Sequence, residues 1–192
     1  MLKQIRPAIV MMVVLTIVTG LVYPLAMTGI AQLVFPRQAN GSLIKVGDKV
    51  IGSEIIAQGF TKPEYFHPRP SAAGNGYDGT NSNGSQLGPL SQKLKDRVNA
   101  SVEQFRKENP EYHGPIPSDL LTTSASGLDP HISPDGAAVQ VARVAAARGV
   151  SADRINQLVA EYTEKASLGF VGEPRVNVLM LNLALDALIS KK

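Results

Sequence analysis

The segment Ser124-Ala-Ser-Gly-Leu-Asp-Pro-His131 brings a hydroxyl, a carboxylate and an imidazole together within eight residues. With Ser126 as nucleophile, His131 as base and Asp129 orienting that base, such a set has the parts needed to cleave an ester or amide. The spacing favours a plainer role. Working triads are usually assembled from distant segments, and no G-x-S-x-G elbow occurs in the chain. Asp129-Pro130 has the composition of a turn in which Ser and Asp side chains hold backbone amides just ahead of a helix. No catalytic residue is assigned on these grounds. An anchored hydrolase built on Ser126, Asp129 and His131 stays as the alternative reading.

Other patterns carry less. Gly74-Asn-Gly-Tyr-Asp-Gly79-Thr80 has the glycine spacing of a phosphate-binding loop, but Thr80 stands where Lys is required. His67, His113 and His131 are too scattered along the chain to read as a metal site. Asn83-Gly-Ser85 and Asn99-Ala-Ser101 match a glycosylation pattern short enough to recur by chance.

The elements that must position these residues begin with a segment of a different kind. From Pro7 to Pro36 there is no charged residue. A bilayer core about 30 Å thick needs roughly 20 apolar residues in a helix. The stretch from Ala8 to Phe35 would extend about 42 Å at 1.5 Å per residue, leaving a surplus for tilt, a kink at Pro24 or emergence of the last turn. The run exceeds a signal-peptide core, and its one small-residue cleavage option, Gly29-x-Ala31, lies inside it, so an uncleaved anchor is predicted. Lys3 and Arg6 precede it, which predicts a cytoplasmic amino terminus and an exported main domain. The expected layout is a tail over 1–6, a transmembrane helix over 7–36 and an extracytoplasmic domain over 37–192, in a cell membrane with lipid around the helix.

Charge excludes one class of partner. The chain carries a net charge of +3, but all sixteen acidic residues and seventeen of the nineteen basic ones follow the anchor. A nearly balanced domain has no footprint for phosphate backbones, so no nucleic acid is expected. The absence of cysteine is compatible with an exported domain that needs no disulfide.

Within that domain, β-branched pairs around Gly47-Asp48 predict a hairpin over 43–51. The Pro-, Gly-, Asn- and Ser-rich stretch over 60–86 carries Phe60, Tyr65, Phe66 and Tyr77, apolar area enough to order a long loop. Leu87, Leu90, Leu94, Val98, Val102 and Phe105 recur at helical spacing, with Pro89 expected near the first turn. A second helix is predicted from Ser133-Pro134 through to Arg148-Gly149, and a third capped by Ser151 with Ile155, Leu158, Val159 and Tyr162 on one face. The run from Val176 to Ile189 reads as a helix by its length, with Lys191-Lys192 suited to its end. The fold class is therefore α+β: one transmembrane helix, then a single exported domain with few short strands and about four helices. In the anchor, Thr16, Gly20, Pro24 and Thr28 fall at four-residue steps and form a small, grooved face that would let neighbouring helices approach closely.

Six blocks in order complete the reading: Gln58-Gly-Phe60 with Tyr65-Phe-His-Pro-Arg-Pro-Ser-Ala-Ala73, Ile116-Pro-Ser-Asp119, Ser124 to Ser133, Gln140-Val-Ala-Arg-Val-Ala145 and Gly172-Glu-Pro-Arg-Val-Asn-Val-Leu179. Together with the anchor they resemble the KdpC family of the Kdp-type potassium-transporting ATPase over nearly the whole chain. The resemblance implies a single-pass accessory subunit of an ATP-driven potassium-uptake complex in bacteria and archaea. Its partners there would be a channel-like A subunit that handles K⁺, a P-type ATPase B subunit and a very small F subunit. It implies assembly and coupling rather than catalysis, with no firmly bound cofactor. It further implies a catalytic-chaperone role that raises the ATPase subunit's affinity for ATP, with nucleotide contact at the Gln140 block. The family's Ser-Gly-Gly-Ser-Asn element stands here as Asn81-Ser-Asn-Gly-Ser-Gln86, a departure that weakens a nucleotide role for this loop. An exported domain cannot touch a nucleotide on the cytoplasmic side, so the effect on ATP would be allosteric. On that view Gln58, Arg69, Tyr77, Asp129 and Arg143 are structural or partner-facing. An anchored binding module unrelated to transport is the remaining alternative.

Overall fold

The computed structural model describes residues 2–189, so the expectation for Lys191-Lys192 lies outside the described residues. The chain divides into two compact units, Met1–Ile51 and Gly52–Lys192.

In the first unit a 3₁₀ turn, Leu2–Gln4, leads into α1 (Ile5–Ile17), a π-helical turn (Val18–Val22) and α2 (Tyr23–Val34). These join into one helix, Ile5–Val34, with a mean hydropathy of 2.3 in its most apolar stretch and no part of that stretch buried. By length and composition it can cross a membrane. Pro24 offers no N–H and its ring crowds the carbonyl four residues back, at Gly20, and the wider π turn lies immediately before it. The Thr16 and Thr19 hydroxyls donate to the Met12 and Leu15 carbonyls, 2.8 and 2.7 Å away, so they present no unpaired donor to an apolar surround. At Phe35 the backbone leaves helical geometry, and α3 (Pro36–Ala39) begins with proline at its first position. β1 (Leu43–Val46) and β2 (Lys49–Ser53) then form the predicted hairpin, with Gly47 at a φ of +60° in its turn.

The second unit is α+β. Its first long helix, α4 (Gln92–Glu108), starts later than its apolar spacing predicts. Leu87, Pro89 and Leu90 lie outside it, and Leu90 is fully exposed. Of the predicted apolar face only Phe105 is buried, because the loop in front of the helix covers its far end and leaves Leu94, Val98 and Val102 half-buried. The second predicted helix is two: α5 (Pro134–Ala138), capped by Ser133 Oγ accepting from the Gly136 amide, and α6 (Val141–Arg148), closed by Gly149 in the left-handed region. The break falls at Gln140. Its side-chain amide donates to the Gly136 carbonyl that its own backbone N–H would use in a continuous helix, and that N–H bonds Ala137 instead.

α7 (Ala152–Glu161) follows its Ser151 cap and buries Ile155, Leu158 and Val159 as expected. Short strands β3 (His131–Ile132) and β4 (Thr163–Glu164) were not anticipated, since two-residue strands leave no alternation to read. Both pair antiparallel with β5 (Arg175–Asn177) in the order β3-β5-β4, Ile132 and Thr163 lying opposite Val176. The final run is thus divided: residues 175–177 are strand, and α8 (Val178–Ile189) is the predicted helix, with Val178, Leu181 and Leu185 fully buried. The core joins these residues to Phe66, Val144 and Ile155.

Candidate functional site

The long loop before α4 contains no helix or strand, and its backbone polar groups are met by side chains from elsewhere. Asn182, 1% exposed on α8, accepts from the Phe66 amide at 2.9 Å and donates to the Phe66 carbonyl at 3.0 Å. Gln140, also 1% exposed, does the same for His67, at 2.8 and 3.1 Å. Each amide stands in for a neighbouring strand, so α8 and the junction between α5 and α6 grip consecutive residues of one loop. Phe66 is thereby held with its ring wholly inside the core.

Two guanidinium groups extend the grip. Arg143 donates from Nε to Asn109, from Nη1 to the Pro63 and Tyr65 carbonyls at 2.6 and 2.9 Å, and from Nη2 to Gln140 Oε1 at 2.7 Å. Burial lowers its pKa, opposed by the charge of Glu108. Arg148 donates to the Glu64 carbonyl and to Asp186, both at 2.8 Å, while its guanidinium lies 4.6 Å from the centre of the Tyr65 ring. The Tyr65 hydroxyl donates to the same Asp186, and burial followed by that carboxylate raises its pKa.

The Ser124–His131 block clasps the other side of the loop. Ser126 Oγ accepts from the Leu128 amide at 3.1 Å and lies 3.4 Å from the Ser124 hydroxyl, whereas the His131 ring faces Asp129 at 3.3 Å. The Ser126 and Gly127 carbonyls accept from Asn83 N and Ser71 Oγ at 2.9 and 2.7 Å, and Leu128 O accepts from Ala57 N. Gly127 is obligatory: at a φ of +68° its Cβ would stand 2.7 Å from Ala73 N. Asp129 accepts from the His131 amide and, at 3.0 Å, from Arg69. Burial opposes the charge on Asp129, but the His131 hydrogen bonds and the charges of Arg69 and His131 outweigh it, holding the carboxyl below its usual range. Tyr77 donates to the Arg69 carbonyl at 2.8 Å, and burial pushes its hydroxyl up to about 12.

Between these two anchorages lies a half-open cavity of about 360 Å³, lined by Phe60, Pro68, Tyr77, Phe105, Glu108 and Gln140 among others. His67 forms one wall, its ring nitrogens 3.0 Å from Glu108 and from the Lys62 carbonyl. Among the described residues no three His, Cys, Asp or Glu side chains converge as they would to hold a metal ion.

Residues 5–187 match the family described as "K+-transporting ATPase, c chain". The chain belongs to this family. A Myxococcus xanthus protein named "Potassium-transporting ATPase KdpC subunit" is 60% identical over 175 residues, 91% of this chain and 83% of that one. Proteins of the same name from Rhodospirillum rubrum and Koribacter versatilis are each 56% identical, covering 97% of this chain and 96% and 95% of theirs.

The residues singled out from the sequence fall into separate places. Arg69, Tyr77 and Asp129 meet in the clasp, and Gln140 and Arg143 in the grip around residues 63–67. Gln58 is half-buried just before the loop. Thr16, Gly20, Pro24 and Thr28 lie on the apolar helix, every one exposed. Sequence reading missed Asn182, Arg148 and Asp186. Asn182 did leave a signal, because an amide flanked by apolar residues on both sides must find a specific partner when buried.

Proposed function

We propose that this chain is the accessory, non-catalytic subunit of an ATP-driven potassium-uptake complex, with the helix Ile5–Val34 docked among the transmembrane helices of its partners. The family match over residues 5–187 carries this reading. The amino terminus lies in the cytoplasm and the second unit outside, capping the channel-like A subunit, while the B subunit hydrolyses ATP and the F subunit steadies the assembly. Thr16, Gly20, Pro24 and Thr28 form the close-packing face. Gln58, Arg69, Tyr77, Asp129 and Arg143 shape the surface offered to partners.

Any gain in ATP affinity reaches the ATPase subunit by coupling across the membrane, not by contact through Gln140. In support, the Gln140 side chain is 1% exposed and already takes part in hydrogen bonds with His67, Gly136 and Arg143. The hydrolase alternative lacks its first requirement here, a Ser126 hydroxyl against the His131 ring.

Purification of the complex in mild detergent tests the reading. K⁺-stimulated ATP hydrolysis should fall sharply when this chain is omitted and return when it is added back; equal activity with and without it overturns the role. An exposed site such as Ala142→Cys in intact cells should react with a membrane-impermeant thiol reagent from outside, and labelling only from the cytoplasm overturns the orientation.

A further inference from the structure

At the tip of the β4–β5 hairpin the chain exposes an apolar cluster that nothing in its own fold requires. Ser167 and Val171 pair across a tight turn with reciprocal 2.9 Å hydrogen bonds, closing the loop Leu168-Gly169-Phe170 at the end of the β4–β5 hairpin. Leu168 is 86% exposed, Phe170 80% and Val171 50%. Leu168 also has a φ of +54°, followed by Gly169 at +81°. Two successive positive φ values suit Asn-Gly or Gly-Gly; a leucine there is strained, and its side chain is then held out in water. Two penalties at one residue mark a site whose benefit lies outside the monomer.

A short stem ties the projection to the core. Glu164 and Thr163 pair with Arg175 and Val176, and Val176 is wholly buried. Two ladder pairs thus tie the base of the projection to the core, and the Ser167–Val171 hydrogen bonds close its tip. Its charges indicate what it binds. Arg175 is paired with Glu164 at 2.9 Å, leaving Lys165 and Glu173 to balance each other along the stem. A loop meant for a lipid surface would carry a surplus of basic residues beside its apolar tip, and this one carries none. A neutral cluster of aromatic and aliphatic side chains at the tip of a closed turn is the form of an anchor that fills a pocket on another protein.

We infer that Leu168, Phe170 and Val171 form a plug that seats in an uncharged apolar pocket on the extracytoplasmic surface of another subunit of the potassium-transporting complex. The inference rests on the proposed accessory role. The test uses the whole complex expressed in cells, with p-benzoylphenylalanine replacing Phe170 and irradiation before extraction. The expected result is an adduct to another subunit of the complex, identified by mass spectrometry. An adduct to lipid alone, or none while the complex is intact, overturns the plug. Phe170→Asp should lower the amount of this chain recovered with its partners at least tenfold, with Phe170→Leu retaining most of it. Leu168→Asn separates strain from binding: it should raise the melting temperature of the purified chain yet weaken recovery with the partners, and unchanged recovery overturns the plug. If the unmodified chain never co-purifies with such a complex, the accessory role itself fails; if it does and Phe170→Asp changes nothing, only the plug fails.

Discussion

The long apolar helix and the loop around Phe66 solve the same problem in opposite ways. In Ile5–Val34 the backbone closes its own hydrogen bonds, the Thr16 and Thr19 hydroxyls fold back onto it, and side chains along the span stay exposed. At Phe66 and His67 the backbone cannot do so, and Asn182, Gln140, Arg143 and Arg148 are committed to satisfying that segment. The difference teaches where to look for partners. Polar residues that stand out in the second unit are mostly engaged within it, whereas small and apolar residues on the helix and on the hairpin tip are uncommitted.

Substitutions can break this contrast, beginning with the grip. Gln140→Leu leaves both polar groups of His67 and the Gly136 carbonyl without their side-chain partner. At 1–3 kcal/mol for each buried unsatisfied group, the loss should reach roughly 3–5 kcal/mol, read as a drop of about 10 °C in melting temperature. A drop of only about 1 °C would show that the loop is held by apolar packing instead. Asn182→Leu removes two such bonds and should cost roughly 2–4 kcal/mol in the same melting experiment.

Two titrations sharpen the picture of the clasp. Between pH 10 and about 12 the folded chain keeps the Tyr77 proton that the unfolded chain gives up, so stability falls as pH rises through that window. The fall amounts to at most roughly 2–3 kcal/mol, and Tyr77→Phe should remove that component of the alkaline limb in a urea-melting series. Asp129 has the opposite sign. Its folded pKa is depressed, so its contribution is complete above the unfolded value of about 3.9 and is lost as pH falls through the lower folded value. Asp129→Asn should flatten the acid limb of the stability profile, and an unchanged limb would remove the clasp from the account of acid sensitivity.

The helix should respond least. A Cβ added at Gly20 meets no atom within 4 Å beyond its own turn of helix, so Gly20→Leu should shift the melting temperature by no more than about 1 °C while reducing recovery with partner subunits. A large thermal shift would erase the contrast between the two regions.

By itself the sequence determined whatever depends on neighbours along the chain. Composition alone marks the apolar helix, Ser133 and Ser151 mark helix starts, Gly149 marks an end, and Gly47-Asp48 marks the hairpin turn. Six ordered blocks sufficed for the family. Only the tertiary structure decided that one predicted helix breaks at Gln140, that Val176 and Asn177 leave the last predicted helix to join the central strand, and that His131–Ile132 pairs beside them. It also decided the use of Gln140, Asn182 and Arg148, whose hydrogen-bond partners lie 73, 116 and 84 residues away. The physical reason is the range of the forces. Caps, turns and apolar periodicity act over three or four residues, but a buried amide takes whichever distant backbone group the collapsed core leaves unpaired.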